Sequence, residues 1–200
     1  MKRTLALISA LILFMLGAAP AYADEAPPAE YTIWDRMPGE DRVQSIAMAL
    51  KEAPMYSAPR GSTIVGYIKP QEKLFRVSCV VYSKPSAHAL RVLKPRRTYI
   101  YPSKTPTGPT LHPDTTIYLA LYTGEGTYVA WYNGQLLRSL TNINLTGQVY
   151  GQDWAQYIGT PTDRGLGIDA WYCVRKADGT VGWVQVYKNG EFDKLFQYVF

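Results

Sequence analysis

From residue 63 onward the chain is written in short runs of β-branched and aromatic residues, separated by Gly, Pro, Asn-Gly and Asp-Gly. Such runs predict antiparallel strands, here at 63–68, 73–82, 89–93, 115–122, 127–132, 135–140, 170–175 and 181–187. Two hairpins are marked most clearly. Asn133-Gly134 joins TYVAWY to QLLRSL, and Asp178-Gly179 joins AWYCVRKA to TVGWVQVY; each dipeptide suits the positive-φ positions of a type I′ turn. Upstream, Val43, Ile46, Ala47 and Leu50 recur at helical spacing, which predicts a short N-terminal helix within 40–50. No long helical period occurs elsewhere, so the predicted class is all-β.

The pattern also repeats. A shift of 43 places superposes Leu50-Lys51 on Leu93-Lys94, Tyr56 on Tyr99, Pro59 on Pro102 and Pro70 on Pro113. Apolar positions follow, with Ile68 falling on Leu111, Leu74 on Ile117 and Phe75 on Tyr118. The shared unit has the size of a small barrel of roughly five strands.

The ends of the chain change the setting. Lys2 and Arg3, an apolar run from Leu5 to Leu16 and the small-x-small site Ala21-Tyr22-Ala23 read as a cleavable signal peptide, 1–23. The run is too short to span a bilayer, so an extracytoplasmic, periplasmic or secreted protein is expected, without membrane association once the peptide is removed. A flexible leader is expected over 24–37; its first part, DEAPPAE, is polar and proline-rich, and ordered structure is expected to begin near Tyr31 to Trp34. Without residues 1–23 the balance is 19 basic to 16 acidic side chains, too mild to call for nucleic acid. Cys79 and Cys173 are the two cysteines. An even count in an oxidising compartment points to one disulfide, with two buried thiols as the alternative.

Two stretches carry a family resemblance. APMYSAPRGSTIVGYIKPQEKLFRV, 53–77, resembles the first half of a bacterial SH3-like (SH3b) domain, with its Tyr-x-x-Pro, Val-Gly-x-Ile strand and Lys-Pro turn. WYCVRKADGTVGWVQV, 171–186, resembles the closing half, with its Trp-Tyr-x-Val strand, Asp-Gly turn and Gly-Trp-Val strand. Some ninety residues separate the halves. The resemblance implies one or two small SH3-like barrels. Either a split barrel, 38–87 plus 146–190, holds a second repeat, 88–145, inserted within it, or successive units run along the chain; 191–200 would be a C-terminal tail.

Catalytic sets are not evident. His88 and His112 are the only imidazoles, and neither has a His-x-His or His-x-x-Glu partner; both read as exposed turn residues. Carboxylates are thinly spread, and the glycine pairs Gly124/Gly126 and Gly165/Gly167 lack a strand-to-helix context. No enzyme activity, metal or cofactor is called for.

The positive signal is aromatic: sixteen Tyr and five Trp. Flat rings with a polar tip suit grooves that take peptides or sugars. The candidate ligand-binding set is Tyr56, Tyr99, Tyr101, Trp131, Tyr132, Trp171 and Trp183, with Arg96 and Arg97 from a stretch between Glu72 and Asp114 that has eight bases and no acid. The resulting expectation is an exported binding module that recognises a cell-wall glycopeptide or a protein partner. Two other classes remain open: a small outer-membrane β-barrel, suggested by the alternation Phe192, Phe196, Tyr198 and Phe200, and a secreted inhibitor or scaffold of a periplasmic enzyme.

Overall fold

A computed structural model describes residues 25–37, 46–84, 88–103, 108–141, 143–144, 153–158, 167–188, 191–192 and 194–198. The expected signal peptide, 1–23, lies outside the described residues. The class is all-β: among the described residues there is no helix. In chain order the strands are β1 (Tyr31–Trp34), β2 (Ile46–Ala49), β3 (Ala53–Tyr56), β4 (Ile64–Ile68), β5 (Lys73–Ser83) and β6 (Ala89–Val92). There follow β7 (Arg96–Arg97), β8 (Tyr99–Ile100), β9 (Thr110–Leu111), β10 (Thr116–Gly124), β11 (Thr127–Tyr132) and β12 (Gln135–Leu140). The last six are β13 (Ile143–Asn144), β14 (Ala155–Tyr157), β15 (Asp169–Arg175), β16 (Val181–Lys188), β17 (Glu191–Phe192) and β18 (Phe196–Tyr198).

A curled sheet of nine strands runs β18-β2-β5-β15-β16-β3-β4, with β1 added beside β5 and β17 beside β16. A seven-stranded sheet, β13-β14-β6-β10-β11-β12-β8, uses only strands that lie between β5 and β15 in the chain, and β7 and β9 pair separately. Three expectations are corrected by this plan. Residues 46–49 form a strand rather than the end of a helix: Ala47 and Ala49 are buried while Met48 between them is only half-buried, which is a period of two. The leader drawn to residue 37 contains β1 and the buried Ile33 and Met37. The tail from 191 supplies β17, β18 and the buried Leu195.

Pairings of the nine-stranded sheet recur 43 positions on, in the seven-stranded sheet and in the separate β7–β9 pair. Ala47 opposite Leu74 becomes Leu90 opposite Ile117, and Ala53 opposite Ile68 becomes Arg96 opposite Leu111. The turn before each long strand recurs bond for bond. Gln71 N–H donates to Ala49 and Ala49 N–H to Glu72, matched by Asp114 to Val92 and Val92 to Thr115. Gln71 and Asp114 also share a left-handed backbone, at φ 65° and 67°. The ladders β5/β15 and β10/β11 both break at the equivalent residue, Val77 and Ala120, where a bulge separates the register pairs. Leu74 and Ile117, each 0% exposed, open their long strands at the same point of each unit.

One core cluster is built from Ile33, Met55, Ile68, Leu74, Val81, Tyr172, Val184 and neighbours, and it also takes in Ala120, Leu121 and Val129 of the second sheet. A second cluster, Leu90, Val92, Leu111, Ile117, Leu137 and Trp154 among others, fills the opposite side of that sheet. The seven-stranded sheet is therefore apolar on both faces and packs one of them on the first sheet.

Two local expectations also change. Asn133-Gly134 has both residues at positive φ, 42° and 78°, as a type I′ turn requires. In the other hairpin only Gly179 does, at 88°; its N–H donates to Lys176, and Lys176 N–H to Thr180, so the loop is a residue longer and ends in a glycine bulge. Cys79 and Cys173 are not bonded to each other; both are buried thiols. The register explains this: Cys173 stands opposite Ser78, and Cys79 opposite Tyr172. A one-residue offset sends the two side chains to opposite faces of the sheet, so strand neighbours cannot bond there.

Candidate aromatic binding face

Alternation along β15 places Ala170, Tyr172 and Val174 in the first core cluster, which turns Asp169, Trp171 and Cys173 to the far face. Neighbouring strands add to that face in register. Val80 of β5 stands opposite both Trp34 and Trp171, Trp171 opposite Gln185, and Trp183 opposite both Cys173 and Tyr56. Four rings meet edge to face in two pairs, Trp34 with Trp183 at 5.9 Å and Tyr56 with Trp171 at 5.7 Å between centroids. Trp34 is 49% exposed, whereas Trp171 is 5% exposed beneath its neighbours. This is an aromatic surface with one deep and several shallow rings.

One end of the face is polar and tied together. Asp169 accepts hydrogen bonds from Trp171 Nε1 at 3.1 Å, from Gln185 Nε2 at 2.6 Å and from Arg60 Nε at 2.6 Å. The Arg60 guanidinium lies 3.8 Å from the centre of the Tyr82 ring and makes a fork on Glu30, at 2.6 and 3.0 Å. That fork holds the Glu30 carboxyl below its usual range, and the same contacts raise the guanidinium further. Burial pushes the Tyr82 hydroxyl up, so it stays protonated at neutral pH. At the other end Ser78 Oγ donates to Asp35 at 3.0 Å.

The equivalent face of the second sheet is closed. Where the first sheet has Ser78 opposite Cys173, the second has Leu121 opposite Val129, and both leucine and valine belong to the shared core. Leu136, also packed on that core, takes the place of Val181, which is 49% exposed. Aliphatic substitution thus converts one copy of the face into a packing surface and leaves the other copy open to solvent.

The residues singled out from sequence divide accordingly. Tyr56, Trp171 and Trp183 come together on the open face. Trp131 does not join them: it is 2% exposed, packed against Tyr31 and Tyr118 at 6.3 and 5.9 Å. Tyr132 is half-buried on the second core cluster. Tyr101 packs on the first cluster, its hydroxyl donating to the Trp34 carbonyl, and burial raises its pKa. Tyr99, 37% exposed, lies on β8 in the second sheet, and Arg97 is exposed on β7. Arg96 is stacked 5.5 Å from Trp154. The basic stretch is likewise dispersed, with Arg76 over Tyr172 and Arg91 beside Gln156 and Tyr157; Lys104 lies outside the described residues. His88 is not an exposed turn residue but 5% exposed, 6.0 Å from the Tyr157 ring. Among the described residues no three His, Cys, Asp or Glu side chains gather as a metal site.

Trp34, Arg60, Tyr82, Asp169 and Glu30 escaped the sequence reading. Trp34 and Tyr82 carried a signal, since each alternates with a buried neighbour, Ile33 and Val81, in a strand. Nothing in the sequence brings Arg60, Glu30 and Asp169 together. Comparison with known proteins adds no identity to this geometry: no family model matches the chain, and no curated protein and no solved structure does so.

Proposed function

We propose that this chain is an exported, non-enzymatic SH3b-like binding module that holds a cell-wall glycopeptide on the face formed by Trp34, Tyr56, Trp171 and Trp183. The single observation that supports the reading most is that this face stays open while its counterpart in the second sheet is packed away. The exposed Trp34, set edge to face on the half-buried Trp183, gives a rigid amphipathic platform, which suits peptide and sugar ligands. The N-terminal signal pattern and the SH3b-like motifs supply the compartment and the class of target. For the outer-membrane alternative one closed meander is needed, whereas the strands among the described residues fall into three sheets with non-sequential neighbours.

Sedimentation with purified peptidoglycan tests the proposal. The Trp34→Ala/Trp183→Ala variant should lose at least tenfold in retained protein, and Arg96→Ala/Arg97→Ala should not change it. Retention that survives the tryptophan pair and fails with the arginine pair would move the site to the second sheet; no retention of the unaltered protein would remove the wall ligand.

A further inference from the structure

We infer that the Arg60 fork is a receptor for the free carboxylate of a short peptide, and that Glu30 is an internal stand-in for that ligand. The inference rests on the open face being the ligand surface. Arg60 is held as a receptor should be. Its Nε is anchored on Asp169, which Trp171 and Gln185 fix in turn, and its flat side lies on Tyr82. Its backbone sits in the left-handed region, φ 59°, inside a turn closed by Gly61 N–H to Ala58 and Ser57 N–H to Thr63. Anchoring one edge and one face leaves the Nη1/Nη2 edge presented, the edge that matches a carboxylate with two parallel bonds.

That edge is occupied by Glu30, which precedes β1 in a stretch without strand pairing. Its side chain is 34% exposed, so rotation about its own bonds vacates the fork without moving the sheet. An incoming carboxylate would then replace an equal charge, with no uncompensated guanidinium left behind. The surface next to the fork is aromatic: Tyr82 beneath the guanidinium, then Trp171 and Tyr56. Tyr82 and Tyr56, above the buried Trp171, offer apolar contact to small side chains preceding a terminal carboxylate. An exposed ion pair biases occupancy by at most about fivefold, so the internal competitor lowers affinity by no more than that.

The test uses the full chain and three probes: N-acetyl-alanyl-alanine, its C-terminal amide, and glucuronate, followed by NMR shift of the Trp171 indole N–H. The dipeptide acid should shift it saturably and the amide should not. Glu30→Gln should tighten the acid three- to fivefold, and Arg60→Lys, which keeps the charge and loses the fork, should weaken it at least tenfold. Equal binding of acid and amide, or unchanged affinity in Glu30→Gln, overturns the receptor; a preference for glucuronate overturns the peptide assignment. Peptidoglycan sedimentation of Glu30→Gln separates the two proposals. Retention without dipeptide binding discards only the receptor, whereas loss of both discards the wall ligand too.

Discussion

Replacing Ser78 with cysteine should create the disulfide that the native cysteines cannot form. Ser78 stands directly opposite Cys173 on adjacent antiparallel strands, where Cα atoms lie about 4.5–5.5 Å apart and side chains share a face. That separation is within the range a disulfide spans, about 4.4–6.8 Å. The bond would close a loop of about 95 residues, and the chain-entropy model gives about 4–5 kcal/mol for such a loop, before strain. The reduced variant loses the Ser78 hydroxyl bond to Asp35, a cost of about 1 kcal/mol. Ser78→Cys should therefore be slightly weaker than the parent when reduced and clearly stronger when oxidised. Urea unfolding with and without reductant measures the difference, and thiol titration in denaturant counts the groups. The unaltered protein should show two thiols, and oxidised Ser78→Cys one, belonging to Cys79. One disulfide in the unaltered protein, or failure of Ser78→Cys to oxidise, would refute the register and with it the placement of Trp171 and Cys173 on the outer face.

Three further outcomes follow from the packing and charge. Gly182→Ala puts a methyl carbon 2.9 Å from both Met55 Cβ and Val65 Cγ2, so it should destabilise by about 1–3 kcal/mol in urea. Leu74→Ala and Ile117→Ala remove equivalent fully buried side chains and should each cost about 2–5 kcal/mol; a negligible loss in either would deny its unit a core. The Glu30 carboxyl has a folded pKa below its usual 4.5, so its stabilisation is present above about pH 4.5 and is lost as pH falls through the folded value. With both partners more than a third exposed the effect is under about 1 kcal/mol. Melting curves of the parent and Glu30→Gln should differ slightly at pH 6 and converge once the pH falls below the lowered folded value.

Much of the strand plan was legible because β-branched and aromatic runs were bounded by Pro, Gly and Asn. Edges at 127–132 and 135–140 are marked by residues that only turns favour. The repeat was legible too, since Pro70 and Pro113 fix the same turn ahead of Leu74 and Ile117. Residues 46–49 were misread because Ile, Ala and Leu at such short range satisfy either period, and tertiary pairing with β5 chose the strand. The cysteines defeated a count-based reading: whether Cys79 meets Cys173 depends on a single-residue register between strands ninety residues apart. Trp131 was misplaced for a similar reason. Nothing local says that its sheet would be covered on both sides, while Trp183, at a comparable place in a hairpin, stays half-open. The Arg60 cluster draws on positions 30, 60, 82 and 169, and only the folded sheet makes them neighbours.

The open face can be tested in one titration, because the chain has five tryptophans and each indole N–H gives its own NMR signal. Three of them, Trp34, Trp171 and Trp183, lie on the face, whereas Trp131 and Trp154 are buried elsewhere, at 2% and 3% exposure. Soluble peptidoglycan fragments should shift the first three signals saturably and leave the other two in place. Shifts confined to Trp131 or Trp154, or no shift at any of the five, would contradict binding on this face.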